Sequence, residues 1–129
     1  MFDRIETLRM ASALTAHAAE RQKLIARNVA NADTPGFRSR DLAGFADTYR
    51  SDVAAEMRAS RPGHLTGVGW GGGAARILDA GGEPAPNGNT VSIEEEMFRS
   101  AAAKREFDLS LAVTKSSLAL IRTSIGRRS

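Results

Sequence analysis

The sequence predicts a mainly α fold: long N- and C-terminal helices packed as an antiparallel coiled-coil hairpin, with an irregular or small β-containing segment between them. Three observations carry this. Phe2 to about Ala32 contains neither Pro nor Gly and repeats apolar residues at helical intervals. From Ile93 to Ile125 the chain steps by four and three without a break. Residues 61–89, by contrast, are crowded with Gly and Pro. The expected divisions are 1–33, 34–90 and 91–129, within a length of 129 residues that fits one domain.

In the first segment Ile5, Leu8, Ala11, Leu14, Ala18, Ile25 and Val29 form one apolar stripe, spaced by threes, fours or their multiples. Alanine fills much of the rest and favours helix. At 1.5 Å per residue such a helix is roughly 45 Å long, more than a compact domain of this size needs. His17, beside Glu20 and Arg21, is expected on the solvated face.

The helix is stopped by Asn31-Ala32-Asp33-Thr34-Pro35-Gly36-Phe37. Asn31 takes the left-handed conformation at lower cost than most residues and is a candidate helix end. Pro35 pushes Thr34 out of the helical region and has no N–H to continue the ladder. Pro35-Gly36 suits the centre of a type II turn, with Gly36 supplying positive φ. Burial of the Phe37 ring is expected to pin the turn.

The middle is different in kind. Residues 46–60 suit one short helix, with Val53, Met57 and Phe45 as inward candidates. Leu65–Val68 and Arg76–Leu78 are candidate short strands, with a loose hairpin or an irregular excursion as the alternative.

The last segment has a capping-box start, Ser92 with Glu95 three residues on. Glu94, Glu95 and Glu96 place negative charge at the positive end of the helix dipole. The seam runs Ile93, Met97, Ser100, Lys104, Phe107, Leu111, Thr114, Leu118, Ile121, Ile125, a coiled-coil repeat with three polar interruptions. Gly126 is a candidate C-terminal stop. Burying one Leu or Ile contributes ~1.5–3 kcal/mol, while ordering each residue's backbone costs ~1–2 kcal/mol. A hairpin of two such helices is therefore marginal alone, and other chains are expected to complete the burial.

Composition excludes several chemistries. The chain has no Cys, so disulfides and thiolate metal sites are out, and its two His, His17 and His64, make no zinc site without carboxylate help. The net charge of +3 and pI of 9.9 raise nucleic acid as a partner, but the charges are mixed along the chain and the aromatics are few. No apolar run approaches a membrane span. Ala16-His17-Ala18 imitates a signal-cleavage site without the apolar stretch that should precede it. Gly67-Val68-Gly69-Trp70-Gly71-Gly72 spells G-x-G-x-x-G, yet Arg61-Pro62-Gly63 stands where a strand should lead in, and the chain is short for a dinucleotide fold. Three consecutive helical carboxylates fan over ~200° and do not converge on a metal. Ser92, Ser110, Ser116 and Ser117 have no His at helical spacing, so nucleophilic catalysis lacks support. No enzyme, cofactor or metal role is expected.

Ala30-Asn31-Ala32-Asp33-Thr34-Pro35-Gly36-Phe37 resembles the A-N-x-x-T-P-G-F signature of bacterial flagellar rod and hook proteins. Arg38-Ser39-Arg40-Asp41 is similar to the basic run that follows it. Asn87-Gly88-Asn89-Thr90-Val91-Ser92 with Glu94-Glu95-Glu96-Met97 resembles the N-G-N-x-V-x-x-x-x-E-M pattern opening their C-terminal helix, and Leu120-Ile121-Arg122-Thr123-Ser124-Ile125 their L-R-T-A-I close. Ala103 stands where the family often has Asn, and Phe107 where it usually has Tyr. The resemblance covers both ends, roughly two thirds of the chain, and the short middle favours the short, proximal-rod type.

That resemblance implies an axial structural subunit whose terminal helices assemble helically into a hollow, torque-transmitting rod crossing the periplasm. The implied partners are other rod proteins, the membrane-embedded MS ring with its rod adaptor, and the flagellar type III export apparatus, which would pass the chain out without a cleaved signal. Ile5, Leu8, Leu14, Ile25, Val29, Ile93, Met97, Phe107, Leu111, Leu118, Ile121 and Ile125 are then the candidate assembly interface. Asn31, Thr34, Pro35, Gly36 and Phe37 form the signature turn. Asn87, Gly88, Asn89, Val91, Glu96 and Met97 form the helix-start signature. The stripes alone would equally permit a generic coiled-coil adaptor that binds a partner helix.

Overall fold

A computed structural model describes residues 2–56 and 75–126. Helix α1 spans Phe2–Ala30, strand β1 Arg40–Leu42, helix α2 Phe45–Glu56, strand β2 Ile77–Asp79 and helix α3 Ile93–Gly126. The architecture is mainly helical, with two long terminal helices and a two-stranded sheet. The candidate strand Leu65–Val68, the glycine loop Gly67–Gly72, Met57, His64 and the side chain of Val53 lie outside the described residues.

Pairs of residues joining α1 to α3 run in opposite order along the chain. Asn28 bonds Glu96 at 3.1 Å, Gln22 the Ser100 carbonyl at 3.1 Å, Arg21 Glu106 at 3.4 Å, and Thr15 Ser110 at 2.8 Å. The buried residues repeat by sevens on both helices. Ala11, Ala18 and Ile25 are enclosed on α1, and Glu96, Ala103, Ser110 and Ser117 on α3. Small side chains at these positions let two backbones approach closely, since interaxial distance follows side-chain size at the contact.

This corrects the orientation expected for the C-terminal seam. Ser100, Phe107, Thr114 and Ile121 are half-buried, whereas Ile93, Met97, Lys104, Leu111, Leu118 and Ile125 are exposed. The inward face is turned by about one residue, roughly 100° around the helix. The α1 stripe divides similarly. Ile25 is buried, Leu8 and Leu14 half-buried, and Ile5 and Val29 exposed.

β1 and β2 pair antiparallel, with Arg40 opposite Asp79 and Leu42 opposite Ile77. The second strand falls one residue beyond the expected Arg76–Leu78. Its partner comes from the run after the signature turn, which carried no strand pattern. Arg38 Nε donates to Asp79 Oδ2 at 2.7 Å, and Gly81 N–H to Asp79 Oδ1 at 2.9 Å. The Gly81 bond and then Arg38 hold the Asp79 carboxyl below its ordinary pKa.

α2 begins one residue earlier than expected, and Phe45 does face inward. It meets His17 edge-on, with ring centroids 5.6 Å apart, and stacks on Tyr49. His17 is therefore buried, not solvated as its sequence neighbours suggested. Its Nε2 donates to the Ala43 carbonyl at 2.8 Å, because the chain entering α2 crosses over that face of α1. Gly126 ends α3 in the helical conformation and does not form a left-handed cap.

Candidate assembly site

The two signature segments, more than fifty residues apart in sequence, form one clasp at the closed end of the helix pair. α1 does not end through a left-handed Asn31, since among the described residues positive φ occurs at glycines alone. It tightens instead through i→i+3 bonds, Asn31 N–H to Asn28 O at 3.1 Å and Ala32 N–H to Val29 O at 3.2 Å. The carbonyls left over are met by Asn89. Its side-chain NH₂ lies 2.9 Å from Asn31 O, 2.9 Å from Ala32 O and 2.8 Å from Thr34 O. Two hydrogens serve three acceptors, so at least one bond is shared. Asn89 Oδ1 in turn accepts from Val91 N–H at 2.7 Å, which aims the chain into α3.

The turn at residues 34–37 has the expected type II form. Phe37 N–H bonds Thr34 O at 3.3 Å, with Gly36 at φ 72°. Gly36 N–H then donates to Asn87 O at 2.9 Å, and Thr90 N–H to Phe37 O at 3.0 Å. Gly88, at φ 82°, sits so close that a Cβ there would lie 3.4 Å from Gly36 Cα. Thus Asn87, Gly88 and Asn89 meet Gly36 and Thr34 as two halves of one contact. Phe37 is half-buried and Asn89 fully enclosed, while Thr34, Pro35, Gly36, Asn87 and Gly88 stay on the surface.

Behind the clasp lies a polar core. Asn28 is 1% exposed and grips Arg40 from both sides, donating to its carbonyl at 2.7 Å and accepting from its N–H at 3.2 Å. The amide thus stands in for a neighbouring strand beside β1. Glu96, 0% exposed, accepts through Oε1 from Ser39 Oγ at 2.7 Å, Asn28 Nδ2 at 3.1 Å and Arg99 Nη1 at 2.6 Å. Among the described residues its other oxygen has no hydrogen-bond partner. Arg21 holds Asp41 with two parallel bonds of 3.0 and 3.1 Å and reaches Glu106 at 3.4 Å. Hydrogen bonding to Asp41 raises the Arg21 pKa against the opposing effect of burial. A buried charge is tolerated where such partners surround it.

The three carboxylates at the start of α3 therefore diverge in role. Glu94 stays exposed at the helix entrance. Glu95 reaches forward to Arg99 at 3.4 Å, not back to Ser92 as a capping box requires. Glu96 enters the core.

Sequence reading missed Asn28, Ser39, Asp41, Arg99 and Arg21 as parts of this core. A signal was available for two of them: Leu14, Arg21 and Asn28 repeat by sevens beside the enclosed heptad of Ala11, Ala18 and Ile25. Val91 is half-buried. Met97, the last member of the helix-start signature, points outward into solvent. With Ile93, Leu111, Leu118 and Ile125 it forms an exposed apolar line along α3. No helix among the described residues is long and apolar enough to cross a membrane.

Comparison with known proteins agrees with the geometry. Residues 10–38 match the family described as "Flagella basal body rod protein". The chain is 30% identical over 120 residues to the flagellar basal body rod protein FlgB of Agrobacterium fabrum, covering 87% of each chain. It is 29% identical over 130 residues to FlgB of Salmonella typhimurium, covering 92% of each. To FlgB of Escherichia coli it is 32% identical over 108 residues, covering 73% of this chain and 74% of that one.

Proposed function

Since the chain belongs to the flagellar basal-body rod protein family, we propose that it builds the rod through the exposed apolar line of α3. The chain is a structural subunit of the rod and not an enzyme. In this reading segments 1–33 and 91–129 form an antiparallel coiled-coil hairpin, with 34–90 as the intervening segment. Neighbouring subunits cover Ile93, Met97, Leu111, Leu118 and Ile125, together with Ile5 and Val29 on α1, and the contacts repeat helically into a torque-transmitting shaft with an export channel. Its neighbours are other rod proteins and the MS ring with its rod adaptor. The type III apparatus delivers it from the cytoplasm to the periplasm without a cleaved signal.

One observation carries the reading: six positions of the ten-position heptad seam face solvent, five of them apolar, and exposed apolar stripes of that length mark interaction surfaces. Because the inward half of α1 and α3 is already satisfied by Ala, Ser, Asn28 and Glu96, the outward half is free to serve other chains. Leu118→Asp tests it. Leu118 is 53% exposed, so the change leaves the subunit's own packing in place while setting a carboxylate in the intersubunit seam. Export into the periplasm is expected to continue while rod assembly and swimming are lost. Cells carrying Leu118→Asp that swim normally would remove the seam from the assembly surface.

A further inference from the structure

Of the four Asn in the chain, Asn87 alone precedes glycine; Asn28, Asn31 and Asn89 are followed by Val29, Ala32 and Thr90. A side-chain amide before glycine is open to attack by the next backbone nitrogen, because no Cβ shields that nitrogen and the backbone bends freely there. Asn87 and Gly88 are both exposed, so water and base reach them. The clasp nevertheless needs this pair. Gly88 has φ 82°, and a Cβ there would lie 3.4 Å from Gly36 Cα. The residue pair most prone to rearrange therefore stands where the two ends of the chain meet.

The turn acts on the two reacting groups in opposite senses. Asn89 N–H donates to Asn87 Oδ1 at 3.1 Å and draws electron density from Cγ, the carbon that would be attacked. The attacking nitrogen is restrained. Ring closure must rotate the peptide plane between Asn87 and Gly88, and that plane is pinned at both edges. Its carbonyl accepts from Gly36 N–H at 2.9 Å, and its N–H donates to Ala85 O at 2.7 Å. One of these two pins is the clasp itself.

We propose that Asn87 is a deamidation site gated by the clasp. When the clasp opens, Gly88 N bonds to Asn87 Cγ. The Gly88 N–H proton ends on the side-chain nitrogen, which leaves as ammonia. Water then opens the resulting imide at one of its two carbonyls. Opening at Cγ gives aspartate. Opening at the main-chain carbon gives isoaspartate, whose chain runs through Cβ and Cγ and is one carbon longer. The carbonyl that Gly36 N–H requires is then a free carboxylate beside the chain, and the close approach of Gly88 to Gly36 is lost. A chain held open thus converts to a form that does not reclose, whereas a closed chain is spared. This goes beyond the assembly reading and holds independently of it.

The test incubates the full chain in mildly alkaline buffer. Fragment masses locate the change at residue 87, and isoaspartyl-specific methyl transfer identifies the product. Conversion is expected to be slow in the native chain and to quicken in urea in step with lost exchange protection at the Gly36 and Thr90 amides. Asn89→Ala keeps the backbone N–H that activates Asn87 but releases the clasp. It should convert about 100-fold faster, the factor set by its opening equilibrium, up to the rate of the unfolded chain. Asn87→Gln, which must close a larger ring, should stop the reaction. Isoaspartyl chains refolded from urea should lack protection at Gly36 and Thr90. Equal rates in native buffer and urea would overturn the gate, as would Asn89→Ala converting no faster than the unaltered chain. Normal Gly36 and Thr90 protection in refolded isoaspartyl chains would overturn the failure to reclose. Should Asn89→Ala not fold, the urea series on the unaltered chain decides.

Discussion

Removal of the Asn89 side chain should open the clasp without disturbing the rest of the helix pair. Its NH₂ supplies two donors to three carbonyls at 2.8–2.9 Å, and its Oδ1 accepts from Val91 N–H at 2.7 Å. Asn89 is 3% exposed, so water does not readily take its place. Three hydrogen bonds at about 1 kcal/mol net each give a loss of about 3 kcal/mol for Asn89→Ala. That corresponds to roughly 100-fold in the local opening equilibrium, at 1.4 kcal/mol per decade. The reporters are the Gly36 and Thr90 amides, which close the same contact through Asn87 O and Phe37 O. Hydrogen exchange at both should quicken by that factor. Asn89→Asp should be worse at neutral pH, because it sets a carboxylate oxygen among three carbonyl oxygens. Below the ordinary carboxyl range, about pH 4, the introduced group regains a donor hydrogen and the gap between the variants should narrow. Exchange changing less than about 5-fold in Asn89→Ala, or better protection in Asn89→Asp than in Asn89→Ala at neutral pH, would refute the clasp as described.

The other expectations concern packing and acid. Ala103 is fully enclosed, so Ala103→Leu should cost about 1–3 kcal/mol in urea denaturation by forcing the helices apart, whereas exposed Ala101→Leu should stay within about 0.5 kcal/mol. Asp79 titrates below the ordinary Asp value in the folded chain, so its contribution is complete above about pH 3.9 and is lost as pH falls through the lower folded value. In a carboxyl NMR titration Arg38→Gln should raise the Asp79 midpoint, yet leave it depressed because the Gly81 N–H remains.

The turn at Thr34–Phe37 was legible because Pro35 and Gly36 constrain their own dihedrals, whatever surrounds them. The long helices were legible for a related reason, as spacing within one element needs no knowledge of the others. Rotation of α3 was not legible. Periodicity locates a stripe, but which stripe turns inward depends on how closely two backbones meet, and close approach selects Ala103, Ser110 and Ser117 over Leu111 and Leu118. His17 looked solvated from Glu20 and Arg21, yet Phe45 and Ala43, more than twenty-five residues on, cover it. Glu96 read as one of three carboxylates complementing a dipole. Its burial is decided by Asn28 and Ser39, which arrive from separate segments. Asn89 was quoted as part of a pattern, but the carbonyls that require an amide there belong to the other end of the chain.

Apart from Ile25 and Glu96 at one end, the enclosed heptads consist of Ala11, Ala18, Ala103, Ser110 and Ser117, which inverts the usual distribution of volume along the rest of the pair, with modest side chains inside and bulky ones outside. A lone subunit of this kind owes little to its own interior and keeps its largest hydrophobic assets for others. Engineering that enlarged the interior would yield a sturdier solitary molecule and a poorer building block, because the two long helices would already have settled on each other.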